Sequence, residues 1–386
     1  MSTADRTEAG TLRYGVCGLL TIGLVAPPPQ AFAELDSLFG SSRDPASAAD
    51  LRIRFVDSIT PRGELRLLDL NKAAFDAESF YVLDSFGKRA RLDLDRIGDG
   101  IEIVCERDAR AIPLLLPVVG LHLLRKGHVL LHSASFLHGG QGVLATGWKK
   151  GGKTELLLAY MSNGAQYLSD EWSIVSADGT IRGVPGIARI WDWHLAYAPE
   201  LRRRVALRAR GRMKALSLYR RLYAAFERGQ GGGGVLRERL DRLALKGGVP
   251  SIGQVAAWPE SLFPDRVSMA SASLDIVFQV TVSEDGTSVV PTTGEAVAQR
   301  MVASQEYERR QLRTAYEQFR FAFPQRRSSL LETAPDEERH ILTRAFAGRP
   351  AFELRHRYPV PLPELYRVTH DLVESAGMTP RSLLSS

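Results

Sequence analysis

Cysteine is scarce in this sequence, with 2 residues among 386. Cys17 and Cys105 are too few for a disulfide framework, and neither lies in a C-x-x-C or other metal-ligand spacing. The 8 histidines also form no cluster with the spacing of zinc ligands. These absences argue against a disulfide-rich secreted scaffold and against a structural zinc site. A reducing compartment, the cytoplasm, is therefore the expected location.

Long hydrophobic runs are missing as well. No apolar run reaches the roughly 18 residues that a membrane-spanning helix needs, so we expect no transmembrane segment. Residues 14–26 are mostly apolar and precede Ala31-Phe32-Ala33, which imitates the cleavage site of a secretory signal. The positively charged region of a signal is absent because acids offset the first arginines, and glycines interrupt the apolar run. We therefore predict strand and turn over residues 12–25.

The composition is that of a folded globular protein. Hydrophobic residues make up 44% and charged residues 24% of the chain, which argues against wholesale disorder. A chain of 386 residues exceeds the usual single core of roughly 100 to 200 residues, so one large or two unequal domains are expected. Turn formers separate short β-branched runs in the first part of the chain. We predict a small β-rich N-terminal domain over residues 1–110 and a larger domain over residues 111–386.

The predicted strands of the N-terminal domain share alternating or β-branched patterns. They are Leu51–Phe55, Glu64–Leu68, Phe80–Leu83 and Ile101–Cys105. Next, Ile112–Lys126 carries apolar residues at helical spacing and ends before the C-cap candidate Gly127. This segment should be a buried helix that leads into the core of the second domain.

Two strongly apolar runs follow, at His128–Leu137 and Gly142–Thr146. The short, glycine-containing connection between them predicts a β-hairpin. A leucine-rich pattern then predicts a helix over Thr154–Ser162, and Gln166–Val175 has the pattern of another strand. The order is strand, glycine loop, helix and strand.

The C-terminal part of the chain also alternates between strand and helix patterns. Leu274–Val282 predicts a strand, and after the turn at Asp285-Gly286 the segment Ser288–Val290 should pair back onto it. Gly294–Phe321 has the pattern of one or two helices. The sequence contains no internal repeat and no coiled-coil heptads.

One glycine-rich segment carries the clearest chemical signal. It satisfies the phosphate-binding pattern G-x-x-x-x-G-K-[ST], or Walker A, at every fixed position. In that pattern the glycines let backbone N–H groups surround a phosphate, Lys153 reaches the β- and γ-phosphates, and the Thr154 hydroxyl coordinates magnesium. The alternative is a glycine turn with an exposed lysine. We predict that ATP and Mg²⁺ bind to the eight residues Gly147, Trp148, Lys149, Lys150, Gly151, Gly152, Lys153 and Thr154.

Two acids and a histidine accompany this segment. Asp170 and Glu171 follow the helix, where a carboxylate can hold the metal or accept the proton of an attacking hydroxyl, unless the pair is simply solvated. The hairpin should bring His132 beside Gly147. The alternative is that His132 is a buried core residue with its hydrogen bonds made and no catalytic role. We predict His132, Asp170 and Glu171 as catalytic residues and Thr154 with Asp170 as metal ligands.

The run from His132 through Gly147–Thr154 to Leu168-Ser169-Asp170-Glu171 resembles the catalytic core of bacterial HPr kinase/phosphorylase and its HPr kinase-like relatives. In that family a histidine begins the hairpin before the P-loop, and a pair of acids follows the P-loop helix. The resemblance implies an α/β (α+β) fold related to ATP-dependent phosphoenolpyruvate carboxykinases. The P-loop of that fold lies in a mixed, hairpin-containing sheet flanked by helices. The similarity spans residues 128–176 and is diffuse elsewhere.

The resemblance implies an ATP- and magnesium-dependent kinase, a transferase in which Asp170 and His132 assist proton transfer from an acceptor hydroxyl. The glycine-rich signature with which the bifunctional enzymes contact HPr is absent. We therefore expect the acceptor to be a serine of a peptide or of another protein, a sugar or another small molecule. Two alternatives stay open, a nucleotide-binding switch or assembly protein without rapid transfer and a carboxykinase-like lyase. Whether the chain forms a homo-oligomer is also left open by the sequence.

Positive charge is concentrated in one stretch. The net charge is +6, and residues 201–228 hold ten Lys or Arg against a single acid. With interleaved leucines, this predicts either a basic amphipathic helix for an anionic partner or a surface helix with solvated arginines. The stretch belongs to a basic helical insertion expected around residues 195–255, and no nucleic-acid motif accompanies it. Four nearby residues are candidates for an acceptor pocket or a phosphate contact, with burial in the core as the alternative: Arg189, Trp191, Trp193 and His194.

Overall fold

The computed structural model describes residues 11–40, 48–69, 72–191, 194–205, 254–268 and 271–376. Within these ranges the chain forms a mixed α/β fold with two large mixed sheets flanked by helices. Most of the predicted basic insertion lies outside the described residues, as does Trp193. Of the basic stretch at residues 201–228, only the part up to residue 205 is described.

The first sheet has eight strands in the order β1-β2-β3-β8-β7-β6-β5-β4. β2, β3 and β8 run parallel to one another, and the remaining neighbours are antiparallel. The strands are Thr11–Val16 (β1), Leu20–Val25 (β2), Leu51–Val56 (β3), Arg66–Leu68 (β4), Ala73–Phe75 (β5), Phe80–Leu83 (β6), Arg89–Leu92 (β7) and Glu102–Glu106 (β8). The strand and turn predicted over residues 12–25 are therefore confirmed, as are the four later strands.

The second sheet has nine strands in the order β16-β13-β12-β9-β10-β17-β19-β18, with β11 also pairing with β9. Its strands are His128–His138 (β9), Gln141–Thr146 (β10), Gln166–Ser169 (β11), Trp172–Ser176 (β12), Thr180–Gly183 (β13), Ser271–Ser273 (β16), Ile276–Val282 (β17), Ser288–Thr292 (β18) and Ala351–His356 (β19). A separate pair consists of Ala188–Trp191 (β14) and Gln254–Ala257 (β15). The predicted hairpin is formed by β9 and β10, which are antiparallel.

Three neighbouring strands of this sheet, β10, β17 and β19, are parallel, so their carboxyl ends meet at one edge. The prediction that Ser288–Val290 pairs back onto the preceding strand is wrong. β19 lies between β17 and β18, and β18 pairs with β19 instead. A long-range parallel strand has taken the position that a local hairpin would have filled, so β17 is paired along both edges with parallel strands.

The helices cover both faces of the second sheet. They are Pro29–Phe39 (α1), Leu115–Arg125 (α2), Lys153–Met161 (α3), His194–Tyr197 (α4), Pro199–Arg204 (α5), Pro259–Leu262 (α6), Gly294–Glu308 (α7), Arg310–Ala322 (α8), Ser329–Phe346 (α9) and Leu362–Ala376 (α10). One hydrophobic core joins the first sheet to α2, α7, α8 and α9, and a second core packs α3 and α10 on the opposite face. Burial on both faces explains the continuous apolar runs of β9, β10 and β17. Among the described helices, none has the length and apolar character required to cross a membrane.

Candidate active site

The glycine-rich segment Gly147–Thr154 lies at the carboxyl edge of the parallel strands. β10 ends at Thr146, one residue before the segment, and α3 begins at Lys153 within it. Ligands of open α/β sheets bind outside the carboxyl ends of the strands, and a helix N-terminus favours anions. The segment therefore has the strand before it and the helix after it that a phosphate site requires.

Two glycines let this loop lie directly on the neighbouring strands. Gly147 has a φ of 141°, and a Cβ on it would lie 2.4 Å from the carbonyl oxygen of Val280 on β17. Gly152 has a φ of 103°, and a Cβ on it would lie 2.0 Å from Nε2 of His356 on β19. Both the backbone conformation and the missing space require glycine. β17 and β19 thus form the floor of the loop.

His356 is a part of this floor that the sequence does not reveal. Its ring is fully buried, with Nε2 lying 3.0 Å from the carbonyl oxygen of Gly151 and Nδ1 lying 2.7 Å from that of Arg357. The buried ring of His356 leaves no room above it for a side chain at Gly152.

Gly152→Ala should destabilise the loop and weaken ATP binding, because the new methyl group meets the fixed ring of His356. The left-handed backbone alone costs about 1 to 2 kcal/mol, and the clash adds to it. Gly164→Ala is the matched control, since Gly164 has a φ of 86° but nothing within 4 Å of its Cβ position. Urea unfolding and ATP titration of both variants measure the difference. His356→Ala should partly rescue Gly152→Ala, and equal costs for the two glycine variants would contradict this role of His356.

Lys153 is buried at the start of α3 beneath the loop. Its Nζ donates to the carbonyl oxygens of Gly147 at 3.2 Å and Trp148 at 2.9 Å. Burial lowers the pKa of Lys153 to about 8, against the opposing attraction of the carboxylates of Glu171 and Asp170. The loop therefore contains a partly desolvated cation that an anionic ligand would stabilise.

Together with the ATP binding that the sequence predicts, this pKa predicts how the affinity for ATP should depend on pH. The protonated fraction of Lys153 should fall about tenfold from pH 7 to pH 9 when its pKa is about 8, so the apparent Kd for ATP should rise about tenfold. Phosphates raise the pKa of a neighbouring lysine, so ATP binding above pH 8 should take up protons. Calorimetry at pH 8.5 in two buffers of different ionisation enthalpy measures this uptake. Proton release, or an affinity independent of pH, would contradict the contact between Lys153 and phosphate.

Asp170 and Glu171 lie at a break between two strands, and the prediction of a single strand over Gln166–Val175 is therefore wrong. β11 and β12 both pair with β9, and the register shifts within β11. Glu171 has a φ of 85°, a left-handed conformation that a continuous strand cannot contain. The break turns the Asp170 side chain toward α3, where its Oδ1 accepts a hydrogen bond of 2.9 Å from the Thr154 hydroxyl.

Three buried serines support the strand break from below. Their hydroxyl groups form a closed ring in which Ser135 Oγ and Ser173 Oγ each lie 2.7 Å from Ser169 Oγ and 3.0 Å from each other. Each hydroxyl both donates and accepts, so these buried polar groups are satisfied within the ring. The ring joins β9, β11 and β12 just below the two acids.

The bond between Thr154 and Asp170 also fits a magnesium site. Neighbouring ligands in an octahedron with metal distances of about 2.1 Å lie about 3.0 Å apart, and the two oxygens are separated by 2.9 Å. Burial, followed by repulsion from Glu171, raises the pKa of Asp170 above the usual range of an aspartic acid. A bound cation would relieve this penalty. No group of three His, Cys, Asp or Glu in the described ranges is arranged to hold a metal, so phosphate oxygens and water would complete the coordination.

His132 lies beside the loop, in the position that the hairpin predicts. Thr146 pairs with Ser133, and the Thr146 hydroxyl donates to the carbonyl oxygen of His132 at 3.5 Å. The imidazole Nδ1 is 3.0 Å from Oε1 of Glu308 at the end of α7, and Nε2 is 3.6 Å from Oε2 of Glu171. A proton on Nδ1 that is donated to Glu308 leaves the Nε2 lone pair available as a base.

Glu308 is a site residue that the sequence analysis missed. Burial is the largest single influence and raises its pKa, but the hydrogen bond from His132 and the neighbouring positive charges, including Lys149 and Lys153, together outweigh it, so the pKa lies below the usual value. The carboxylate is therefore ionised and fixes the orientation of the imidazole. The only signal in the sequence would have been an acid at the end of a helix, which is too common to single out.

No protein-family model matches this chain, and no curated protein matches its sequence. The residues brought together at one sheet edge are the loop, Asp170, Glu171, His132 and the unpredicted Glu308 and His356. Within the loop, Trp148, Lys149 and Lys150 are exposed, and the Trp148 ring lies 4.8 Å from the ring of Tyr307 on α7.

The candidates for an acceptor pocket or a phosphate contact do not all lie at the glycine loop. Arg189 is largely exposed, and its Nη1 lies 3.5 Å from Oε1 of Glu171. Trp191 is half-buried, while His194 is buried against α3. The Nδ1 atom of His194 accepts from the backbone N–H of Trp191 at 3.2 Å, so its Nε2 carries the proton that it donates to Glu155 at 3.1 Å. His194 therefore anchors the first turn of α3.

Proposed function

We propose that the chain is an ATP- and magnesium-dependent kinase with an HPr kinase-like P-loop core, which transfers the γ-phosphoryl group to a hydroxyl acceptor. The hydrogen bond between Thr154 and Asp170 carries this proposal. It joins the hydroxyl that the phosphate-binding pattern assigns to the metal with a buried acid at the same sheet edge. His132 and its partner Glu308 supply a positioned base, which a protein that only binds nucleotide does not need.

In the proposed reaction, the N–H groups of Gly147–Thr154 and the Lys153 ammonium hold the β- and γ-phosphates. Thr154 and Asp170 would hold the magnesium ion, which would neutralise charge on the phosphate oxygens. The acceptor oxygen forms a bond to the γ-phosphorus while the bond to the bridging oxygen breaks and ADP leaves. The hydroxyl proton passes to Nε2 of His132, whose orientation Glu308 fixes, with the carboxylate of Asp170 assisting.

The cytoplasm supplies ATP to a kinase and keeps thiols reduced. Both cysteines are unpaired. Burial raises the pKa of Cys17 to about 11 and that of Cys105 to about 12, so both thiols should be unreactive. We include a cytoplasmic location in the proposal.

Labelled ATP tests the proposed function directly. The purified chain is incubated with ATP labelled at the γ-phosphate, magnesium chloride and a cell lysate cleared of endogenous nucleotide, and the label is then located. A kinase places the label on an acid-stable phosphoester. ATP binding without any transferred label would instead favour the nucleotide-binding switch.

A further inference from the structure

Glu171 and Arg189 are two charged residues at the site that the proposed reaction does not use. Oε2 of Glu171 lies 3.6 Å from Nε2 of His132, and Oε1 of Glu171 lies 3.5 Å from Nη1 of Arg189. A general base must lie about 2.6 to 3.2 Å from the hydroxyl oxygen whose proton it takes. The Glu171 carboxylate therefore occupies the space that an acceptor hydroxyl needs, between the proposed base and a guanidinium group.

The Glu171 side chain is held weakly in this space. Both of its contacts are longer than the roughly 2.7 to 3.2 Å that is usual for a hydrogen bond from nitrogen to oxygen. The side chain is 35% exposed, so it can turn into solvent without crossing packed structure. Its backbone has a left-handed φ of 85°, and strained residues of this kind cluster at ligand sites. An arriving ligand can therefore displace the carboxylate at little cost.

Arg189 contacts the other oxygen of the Glu171 carboxylate. It lies on β14, and its contact with Glu171 is its one hydrogen bond among the described residues. A guanidinium group has five N–H donors in a planar fork that matches the two oxygens of a carboxylate. Most of these donors are therefore available to an anionic ligand at the position that Glu171 now occupies.

The charges around this space favour a ligand with one carboxylate. The other two acids of the site have their own partners, because Glu308 bonds to His132 and Asp170 would face the magnesium ion. When Glu171 turns outward, Arg189 loses its counter-ion. A carboxylate on the ligand restores that ion pair, whereas a neutral ligand leaves the arginine unpaired and a cationic ligand is repelled by it.

We propose that Arg189 binds a carboxylate of the phosphoryl acceptor, and that the acceptor is a small hydroxy acid with its hydroxyl group one or two carbon atoms from the carboxylate. A single carboxylate group of Glu171 now spans the base and Arg189, so a molecule of this size can span them as well. The acceptor oxygen would bond to the γ-phosphorus, its proton would pass to Nε2 of His132, and ADP would leave. The inference rests on the proposed kinase function and specifies its substrate class. A neutral sugar and a serine within a protein are the competing outcomes.

Glycerate and glyceramide test the site by binding. The two probes have the same size and the same hydroxyl groups, but glyceramide has an uncharged amide in place of the carboxylate. Ligand-observed NMR with magnesium and a non-hydrolysable ATP analogue, which fills the phosphate site, measures both affinities. Glycerate should bind at least about tenfold more tightly, because a hydrogen bond between charged groups contributes that much. Equal affinities of the two probes would overturn the inference.

Arg189→Gln should abolish the preference for glycerate and leave the affinity for glyceramide unchanged. Arg189→Lys should keep part of the preference, because it retains the charge without the planar fork. Arg125→Gln is the matched control and should keep the full preference. The Arg125 side chain is 58% exposed, against 55% for Arg189, and it has a similar contact of 3.3 Å with Asp99. A preference for glycerate that persists in Arg189→Gln would place the carboxylate elsewhere and overturn the inference.

Glu171→Gln should act in the opposite direction and strengthen glycerate binding, because an amide competes less well than a carboxylate for Arg189. The variant should have little effect on the affinity for glyceramide. Weaker glycerate binding in Glu171→Gln would show that the ligand does not replace the Glu171 carboxylate, and it would overturn the inference.

Phosphoryl transfer supplies the second arm of the test. The labelled-ATP experiment is repeated with the lysate fraction below about 1 kDa, before and after an anion exchanger has removed its acids. Transfer should disappear from the acid-depleted fraction and should return with the eluted acids. Label only on protein, or only in the acid-depleted fraction, overturns the acceptor class while the kinase stands. No transferred label from any fraction removes the kinase and the inference together.

Discussion

Asp170→Asn should lower phosphoryl transfer from ATP by roughly 10²- to 10⁴-fold, the range typical of a lost acid–base group. Asparagine keeps the shape of the side chain and can still accept the hydrogen bond from Thr154, so the loop should retain its structure. ATP affinity should change much less, because the backbone amides and Lys153 supply most of the contact with phosphate. Steady-state transfer and calorimetric binding of ATP measure the two effects separately.

The same substitution should raise thermal stability when magnesium is removed with EDTA. Burial raises the pKa of Asp170 in the folded state, so the folded protein holds this proton more tightly than the unfolded chain. Stability is therefore lost as pH rises from the unfolded pKa to the folded pKa, and the whole penalty is present above the latter. Asparagine never carries the charge, so its melting temperature should exceed that of the wild type at pH 8. Such opposite effects on activity and stability are typical of functional residues.

Asp178→Asn is the matched control for both measurements. Asp178 follows β12 in an exposed turn, where its carboxylate accepts from the backbone of Thr180. That variant should retain transfer and should not gain stability. Full transfer by Asp170→Asn to the acceptor would disprove the assigned role of Asp170 and would leave only the nucleotide site.

Lys153→Met should abolish measurable ATP binding, which corresponds to a loss of at least about 100-fold. Hydrogen bonds to charged groups contribute about 1.5 to 3 kcal/mol each, and two such bonds to phosphate exceed the roughly 2.7 kcal/mol that a factor of 100 requires. Methionine keeps most of the length and volume of lysine in a buried position. The fold should persist, because the substitution also removes the desolvation cost that lowers the pKa of the lysine.

Lys72→Met controls for the loss of one positive charge, because Lys72 is exposed and belongs to the region of the first sheet. Circular dichroism should show unchanged secondary structure in both variants, and only Lys153→Met should lose ATP. An ATP affinity equal to that of the wild type in Lys153→Met would mean that phosphate binds elsewhere.

The parts of the fold that depend on neighbouring residues were predictable from the sequence. The hairpin of β9 and β10, the glycine loop and α3 form one local unit, and the hairpin register alone placed His132 beside Gly147. The four N-terminal strands that have alternating or β-branched patterns were found, whereas β5 and β7 were missed. These two strands are short and contain mostly alanine and arginine, which have little β propensity.

The parts that depend on distant residues were not predictable. Glu308 reaches His132 across 176 positions and His356 reaches Gly151 across 205, and no local pattern marks either residue. The break at Glu171 was hidden because a left-handed residue between two apolar runs reads as a continuous strand. The pairing of β18 was predicted wrongly because its true partner, β19, lies far along the chain, like the partners of His132 and Gly151.

The floor of the glycine loop also sets an order of events during synthesis. A ribosome adding roughly 5 to 20 residues per second needs about 10 to 40 s for the 205 positions from Gly151 to His356. During that interval the loop has been synthesised, but the His356 ring that lies beneath Gly152 has not. The edge of β10 that pairs with β17 also stays unpaired until β17 is synthesised. An open, apolar strand edge invites pairing with other chains. The nascent chain should therefore depend on chaperones during this interval.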